Sequence, residues 1–228
     1  MPYTGVGASL YAAWPGLLPD DVEPIAVQLP GREDRLFDPH VTDVDSVARA
    51  LADVLRPRFS VPVAFFGHCA GALLAFEVAR ELEVRYGVRA AHLIVSAAPA
   101  PDSPVPPPPL HTLSDAEFRA VVRASEGAPQ EVLDSDAYME LLLPGMRADF
   151  AMWSRYRHRP GAPLTCPVTV FGGADDDEVT APALRAWQAH TTGAFAERVF
   201  PGGHFFLRTA AEEVTGAVAE LLAAPSVR

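Results

Sequence analysis

Cysteine is scarce: Cys69 and Cys166 are the only two in 228 residues. Two thiols cannot build the disulfide framework of a small secreted domain, and they fit a reducing cytoplasm, where the chain is expected to reside. Cations are few as well. Lys and Arg total 18 against 29 Asp and Glu, giving a net charge of −11 and a pI near 5.0. A nucleic-acid partner, which needs clustered positive charge to neutralise phosphates, is therefore excluded. No apolar run approaches the roughly 18 residues of a membrane-crossing helix. Nor does a basic segment followed by an apolar core open the chain as in a signal peptide. What remains is 49% hydrophobic against 21% charged, the balance of a globular chain rather than a disordered one. The length suits one domain, 1–228, with room for an insertion.

The most informative stretch runs from Val61 to Arg80. Val61 to Phe66 is an apolar run long enough for a buried strand and too short for a helix. Beyond it Leu73, Leu74, Ala75, Val78 and Leu82 recur at helical spacing, with Arg80, Glu81 and Glu83 on the other face. Between the two stands Gly67-His68-Cys69-Ala70-Gly71, which fits the G-x-S-x-G nucleophile elbow with sulfur in place of the hydroxyl. A side chain at the tip of a sharp strand-to-helix turn sits on strained backbone, and the small residues two before and two after permit the close approach. The helix N-terminus behind it favours a thiolate and an oxyanion alike. The competing reading is a βα turn of a nucleotide-binding fold with a structural cysteine. The strand and helix around the motif favour the elbow, with Cys69 as nucleophile.

In chain order, Gly5 and Gly7 mark a tight loop, Ser9 to Trp14 opens a helix, and Ile25 to Leu29 is a strand candidate followed by the polar turn 30–35. Val44 to Leu55 repeats at helical spacing behind Thr42 or Asp43 as cap, and His92 to Ala97 is the strand after the elbow helix. Strands alternating with helices predict a mostly parallel sheet flanked by helices. Residues 99–109 then hold seven prolines, which neither strand nor helix accommodates. Ser114-Asp-Ala-Glu117 is a capping box opening one helix, and a second runs from about Ser135 to Trp153, bent at Pro144-Gly145. This helical block, about 99–160, interrupts the sheet and reads as an inserted lid. The cluster Arg155-Tyr-Arg-His-Arg159 is either a solvated helix end or, through Arg155, Arg157 and Arg159, a contact for a phosphate-bearing substrate arm. Pro167 to Phe171 resumes the sheet, a helix opens at Ala181-Pro182, Phe195 to Phe200 forms the last strand, and a helix from Ala210 to Leu222 closes the chain.

An elbow nucleophile needs a base, and the base an orienting carboxylate. Asp175, Asp176 and Asp177 follow a late strand, and His204 follows the last one in a Gly-Gly turn expected to leave its ring free. His40, His68, His92, His111 and His190 fit that place less well. The oxyanion would be held by the N–H of Ala70, next to the nucleophile, and by one from the Thr4-Gly5 loop.

Pro2-Tyr-Thr-Gly-Val-Gly-Ala-Ser9, Gln28-Leu-Pro-Gly-Arg-Glu-Asp-Arg-Leu36, Gly67-His-Cys-Ala-Gly-Ala72, Trp187-Gln-Ala-His-Thr-Thr-Gly193 and Phe200-Pro-Gly-Gly-His-Phe-Phe-Leu207 together resemble the type II thioesterases, the stand-alone α/β-hydrolases of polyketide and nonribosomal peptide synthesis. The resemblance spans essentially the whole chain. It implies an α/β-hydrolase fold with a helical lid and hydrolysis of acyl groups from the phosphopantetheine thiol of carrier proteins. It further implies Cys69, His204 and Asp176 as triad, with Asp175 as fallback, and Thr4 and Ala70 as oxyanion donors. Neither a metal nor a dissociable cofactor is implied, and the expected state is a monomer with no membrane partner. Two departures stand out. Cysteine replaces the family's usual serine, which opens acyl transfer or cyclisation as alternatives to hydrolysis. A non-catalytic carrier-binding relic is the alternative from another class. The strand that relatives carry before the Pro-Tyr loop is missing, so the sheet is expected to lack its first strand, with the true start upstream of Met1 or the strand replaced.

Overall fold

Four short runs rich in Val, Ile, Leu and Phe form the strands β1 (Ala64–His68), β2 (His92–Ser96), β3 (Val168–Gly173) and β4 (Phe195–Phe200), all parallel and in the spatial order β1-β2-β3-β4. The computed structural model describes residues 1–104, 109–125, 127 and 130–223. The middle of the proline run, 105–108, lies outside the described residues.

A parallel sheet is covered on both faces, so its strands are apolar on both. Leu93 and Val95 of β2, with Val168 and Val170 of β3, face one core, while Ile94 and Phe171 face the other. The first core is filled by α1 (Val44–Leu55) and α2 (Ala70–Tyr86). The second holds Tyr11, Trp14, Phe200, Phe206 and Leu207, with Val214, Ala217 and Val218 of α8 (Ala211–Ala223). α1 is capped by Asp43, whose carboxylate accepts from Ser46 N–H at 2.8 Å. α2 is buried almost all round and ends where Gly87 takes φ +62°, the left-handed position that glycine reaches without a Cβ penalty.

Between β2 and β3 lie α3 (Asp115–Ala124), α4 (Gln130–Asp134) and α5 (Asp136–Arg155). The expected capping box is present: Ser114 accepts from Glu117 N–H and the Glu117 carboxylate accepts from Ser114 N–H. Phe118, Val122, Leu133, Met139, Leu143 and Met146 form a separate apolar cluster within this insertion. α5 runs continuously past Pro144. The remaining helices are α6 (Ala181–Arg185) and α7 (Phe206–Thr209).

Three sequence expectations are corrected. Ile25 to Leu29 forms no strand; it pairs with none of the four strands, so no ladder fixes it. Ser9 to Trp14 is not one helix but part of two 3-10 turns, Ala8–Tyr11 and Trp14–Gly16. There Gly7 and Gly16 flank a segment too short to propagate an α-helix. The first strand starts three residues later than its apolar run, because Val61 follows directly on a 3-10 turn, Arg56–Ser60.

On the edge of β1 away from β2, the Met1 amino group donates to Phe66 O and His68 N–H donates to Met1 O at 3.3 Å. That is one rung of a parallel ladder, and it delivers Pro2 to Gly7 across the start of α2. The approach is close enough that a Cβ on Gly71 would lie 2.3 Å from Met1 O and 2.5 Å from Pro2 O. A Cβ on Gly67 would lie 2.2 Å from Gly71 O. Both obstacles are backbone. Gly67→Ala is therefore expected to cost about 3–5 kcal/mol of stability, read as a large drop in thermal midpoint, whereas Gly87→Ala, with open space around it, should cost only about 1 kcal/mol.

Candidate active site

Cys69 sits between β1 and α2 with φ +51° and ψ −123°, a conformation that costs a non-glycine residue about 1–3 kcal/mol and that the surroundings must enforce. They do so through backbone bonds. Cys69 N–H donates to Ser96 O at 2.8 Å, tying the turn to the end of β2, and Cys69 O accepts from Ala72 N–H at 3.0 Å in the first turn of α2. The thiol does not cap the helix. It acts instead on the imidazole of His204, whose pKa it raises.

His204 lies in the turn after β4, where Gly202 takes φ +107°. The ring is not free, as the Gly-Gly turn had suggested: the residue is only 8% exposed. Packing by Tyr3 and Phe206 on His68, whose ring lies 5.6 Å from that of His204, closes the site from behind. His204 Nδ1 is 3.0 Å from Asp176 Oδ2. The other oxygen, Asp176 Oδ1, accepts from Glu178 N–H at 2.9 Å and Val179 N–H at 3.0 Å. One carboxylate thus orients the imidazole while its own turn, following β3, holds it in place. Asp175 takes another part. Its N–H donates to Gly202 O at 2.9 Å, joining the acid loop to the histidine loop.

The charges of the three side chains are coupled. Burial alone would lower the pKa of His204, but the hydrogen bond to Asp176 and the effect of Cys69 outweigh it and raise the group to about 10. Asp176 is likewise opposed by burial, yet its bond to His204 holds it below the ordinary 3.8. These shifts set a stability profile. The histidine's contribution is complete below its unfolded value of about 6.5 and is lost as pH rises toward about 10. The aspartate's contribution is present above 3.8 and is lost as pH falls below it. The thermal midpoint is expected to decline between about pH 6.5 and 10, and His204→Gln should remove this part of the alkaline decline.

Behind the pair, burial pushes His68 down to about 3, so it stays neutral; its Nδ1 lies 2.8 Å from Ser96 Oγ. Of the two expected oxyanion donors, Ala70 is the first residue of α2. Thr4 is in the turn closed by Val6 N–H to Tyr3 O at 3.3 Å, and the Tyr3 ring packs on His68 at 5.5 Å and Phe205 at 5.0 Å. The three arginines edge one cavity, but two of them are engaged within the protein. Arg157 folds back onto the carbonyls of Ser154 and Tyr156, and Arg159 pairs with Asp45 at 2.9 Å. Arg155 is exposed, and all three edge a cavity of about 190 Å³ that Asp43 and Asp45 also line. Cys166 is buried, which pushes its thiol up to about 12 and makes it a poor nucleophile beside Cys69.

Sequence reasoning missed Tyr3, Arg32 and Asp149 near this site. Asp149 carried a readable signal: it is an acid on the buried stripe of α5 that includes Met139, Leu143, Met146 and Trp153.

The thioesterase domain family matches residues 1–223. The linear gramicidin dehydrogenase LgrE of Brevibacillus parabrevis is 37% identical over 223 residues, covering 96% of this chain and 85% of that protein. RedJ, a thioesterase from the prodiginine biosynthetic pathway in Streptomyces coelicolor, superimposes with a TM-score of 0.89 at 38% identity, over 96% of this chain and 87% of that one. BorB, the type II thioesterase from the borrelidin biosynthetic cluster, gives 0.86 at 38% identity, over 97% and 88%. With its parallel sheet and strand-turn-helix elbow, the chain belongs to the thioesterase family of the α/β-hydrolase fold, enzymes that hydrolyse thioesters.

Proposed function

We propose that this chain hydrolyses acyl groups from the phosphopantetheine thiol of carrier proteins in polyketide or nonribosomal peptide synthesis, using Cys69, His204 and Asp176. The observation that carries the reading is the arrangement at the elbow. A cysteine at φ +51° on the helix N-terminus acts electrostatically on an imidazole that a buried carboxylate orients from behind at 3.0 Å. The likeness to RedJ and BorB, both thioesterases of biosynthetic pathways or clusters, supports the substrate class. LgrE carries a dehydrogenase name, but a dinucleotide turn brings bare glycine backbone up to the pyrophosphate. Here a cysteine side chain stands at the tip of the turn.

In the forward reaction His204 takes the Cys69 thiol proton as the sulfur attacks the acyl carbonyl carbon. The oxyanion is held by the N–H groups of Ala70 and Thr4. As the carbon–sulfur bond to pantetheine breaks, the leaving thiolate takes that proton from His204, giving acyl-Cys69 and free carrier. Water then attacks the acyl-enzyme as His204 takes its proton, and the bond to Cys69 breaks to release the acid while His204 returns the proton to the Cys69 sulfur. The helices between β2 and β3 act as the lid that keeps bulk water from the first step. Arg155, Arg157 and Arg159 are the proposed contacts for the phosphate arm. Arg155, with no hydrogen-bond or ion-pair partner among the described residues, is the first of the three to test.

The test is intact mass of enzyme and carrier after mixing with acyl-loaded carrier. Acyl loss to free acid, through an adduct on Cys69, supports the reading. An adduct that persists until an amine is added would replace hydrolysis with transfer, and carrier binding without acylation would replace it with a relic.

A further inference from the structure

The motif Gln28–Leu36 resembles the family's, yet it contributes none of the catalytic groups. Its side chains grip the N-terminal loop that carries Thr4. Gln28 Oε1 accepts from Ala8 N–H at 2.7 Å, and Glu33 Oε1 accepts from Ser9 Oγ at 2.6 Å. Gly7 lies so close that a Cβ there would be 2.4 Å from the Glu33 carboxylate. The other side of the same loop is held from the insertion. Asp149 Oδ2 on α5 accepts from Gly5 N–H at 2.8 Å and also pairs with Arg32 Nη2. Met146, one turn earlier on α5, packs on Gly5: a Cβ there would be 2.7 Å from Met146 Cγ.

Arg32 and Asp149 are both more than nine-tenths buried, and Arg32 Nε and Nη1 have no hydrogen-bond partner among the described residues. A buried pair of this kind adds little net stability, because desolvation consumes most of the attraction and an apolar pair of similar volume does as well. What an apolar pair cannot supply is an acceptor for Gly5 N–H. That N–H belongs to the Thr4–Gly5 peptide, the central peptide of the Tyr3–Val6 turn, with Gly5 at φ +79°. Thr4 N–H belongs to the preceding peptide, so Asp149 does not turn it directly. By anchoring the Thr4–Gly5 peptide to α5, while Gln28 and Glu33 hold the same loop at Ala8 and Ser9, it fixes where the Thr4 backbone stands.

We propose that Asp149, backed by Arg32, is a positioning residue that sets the Thr4 oxyanion donor. The reading rests on the acyl-transfer function above. It also couples the two units. When α5 is seated, the donor is aimed; when α5 moves away, the donor is lost along with the cover over the site.

The test uses single-turnover acylation of Cys69 by a propionyl-N-acetylcysteamine thioester, steady-state hydrolysis of the same substrate, and alkylation by iodoacetamide, a reaction that forms no oxyanion. The paired variant Arg32→Met/Asp149→Leu removes the acceptor and leaves neither charge buried, and Asp149→Asn, whose amide oxygen can still accept from Gly5 N–H, is measured beside it. The paired variant is expected to acylate about 10–100-fold more slowly, to lower kcat with KM within about threefold, and to alkylate at the wild-type rate, while Asp149→Asn keeps most of the acylation rate. Wild-type acylation in the paired variant would overturn the proposal. So would equal losses in acylation and alkylation, which mark a collapsed site, or a rise in KM at unchanged kcat, which marks a seating role for α5 alone. A wild-type enzyme that is alkylated but never acylated overturns the functional reading itself, and this proposal with it.

Discussion

Cys69→Ala is expected to lower thioester hydrolysis by about 10⁴-fold or more, because loss of a nucleophile removes the covalent route and leaves only binding and the oxyanion donors. The variant should fold. Alanine is smaller than cysteine, and the strained turn is held by backbone bonds from Cys69 to Ser96 and Ala72 that any residue can make. Cys69→Ser is the sharper comparison. The hydroxyl fits the same turn and reaches the same imidazole, but it is the weaker nucleophile. His204, raised to about 10 in part by Cys69, would then lose one of the interactions that keep it protonated. The serine variant should hydrolyse through an oxyester within about 100-fold of wild type, resist iodoacetamide, and work as an Ser-His-Asp enzyme whose rate rises as His204 loses its proton. Its alkaline activity limb should therefore begin at lower pH than the point where wild-type His204 deprotonates. Intact mass after acyl-thioester treatment, with pH–rate profiles for both variants, decides it. A serine variant as dead as alanine would mean that the geometry is tuned to the larger sulfur.

Where local pattern carries the physics, the sequence was legible. The elbow, the Phe195–Phe200 strand and the Ser114 capping box are set by neighbours in the chain. Alternation of faces along β2 and β3 could not be read, because both faces are buried and periodicity vanishes. Asp176 was separable from Asp175 only by resemblance. In space the choice is plain, since Asp175 spends its N–H on Gly202 O while the Asp176 side chain turns toward His204. The histidines show the limit most clearly. His204 is expected on an open turn and is buried. The structure buries His190 as well, with its Nε2 at 2.9 Å from Asp102 and its ring packed edge-on to that of Phe76 at 5.6 Å. Burial of a loop residue depends on what distant segments cover it: His68 of β1 packs against His204, and Asp102, 88 residues away, bonds His190. The contacts of Asp149 with Gly5 and Arg32 span 144 and 117 residues. A misplaced charge on an apolar helix stripe could flag that side chain, but not name its partners.

Asp176→Asn should cost about 10³–10⁴-fold in kcat for acylation while leaving the fold intact. The amide keeps the size of the carboxylate. Its oxygen can still accept from Glu178 and Val179 N–H, which Asp176 Oδ1 does now at 2.9 and 3.0 Å, so the turn after β3 persists. The nitrogen then faces His204 Nδ1 and donates where a carboxylate accepted. That favours the tautomer with its proton on Nε2, pointed at the thiol it should relieve of a proton. Two losses follow together. The imidazolium loses its countercharge, so the group that was raised to about 10 falls back toward the ordinary histidine range, and the base is no longer held in the orientation that serves Cys69. Alkylation by iodoacetamide near neutral pH should fall with acylation. This separates Asp176 from Asp149, whose variants are expected to spare alkylation. Because Asp176 acts only through His204, the double variant Asp176→Asn/His204→Ala should be no slower than His204→Ala alone. Additive losses in that cycle would show that Asp176 touches the reaction by a route other than the imidazole.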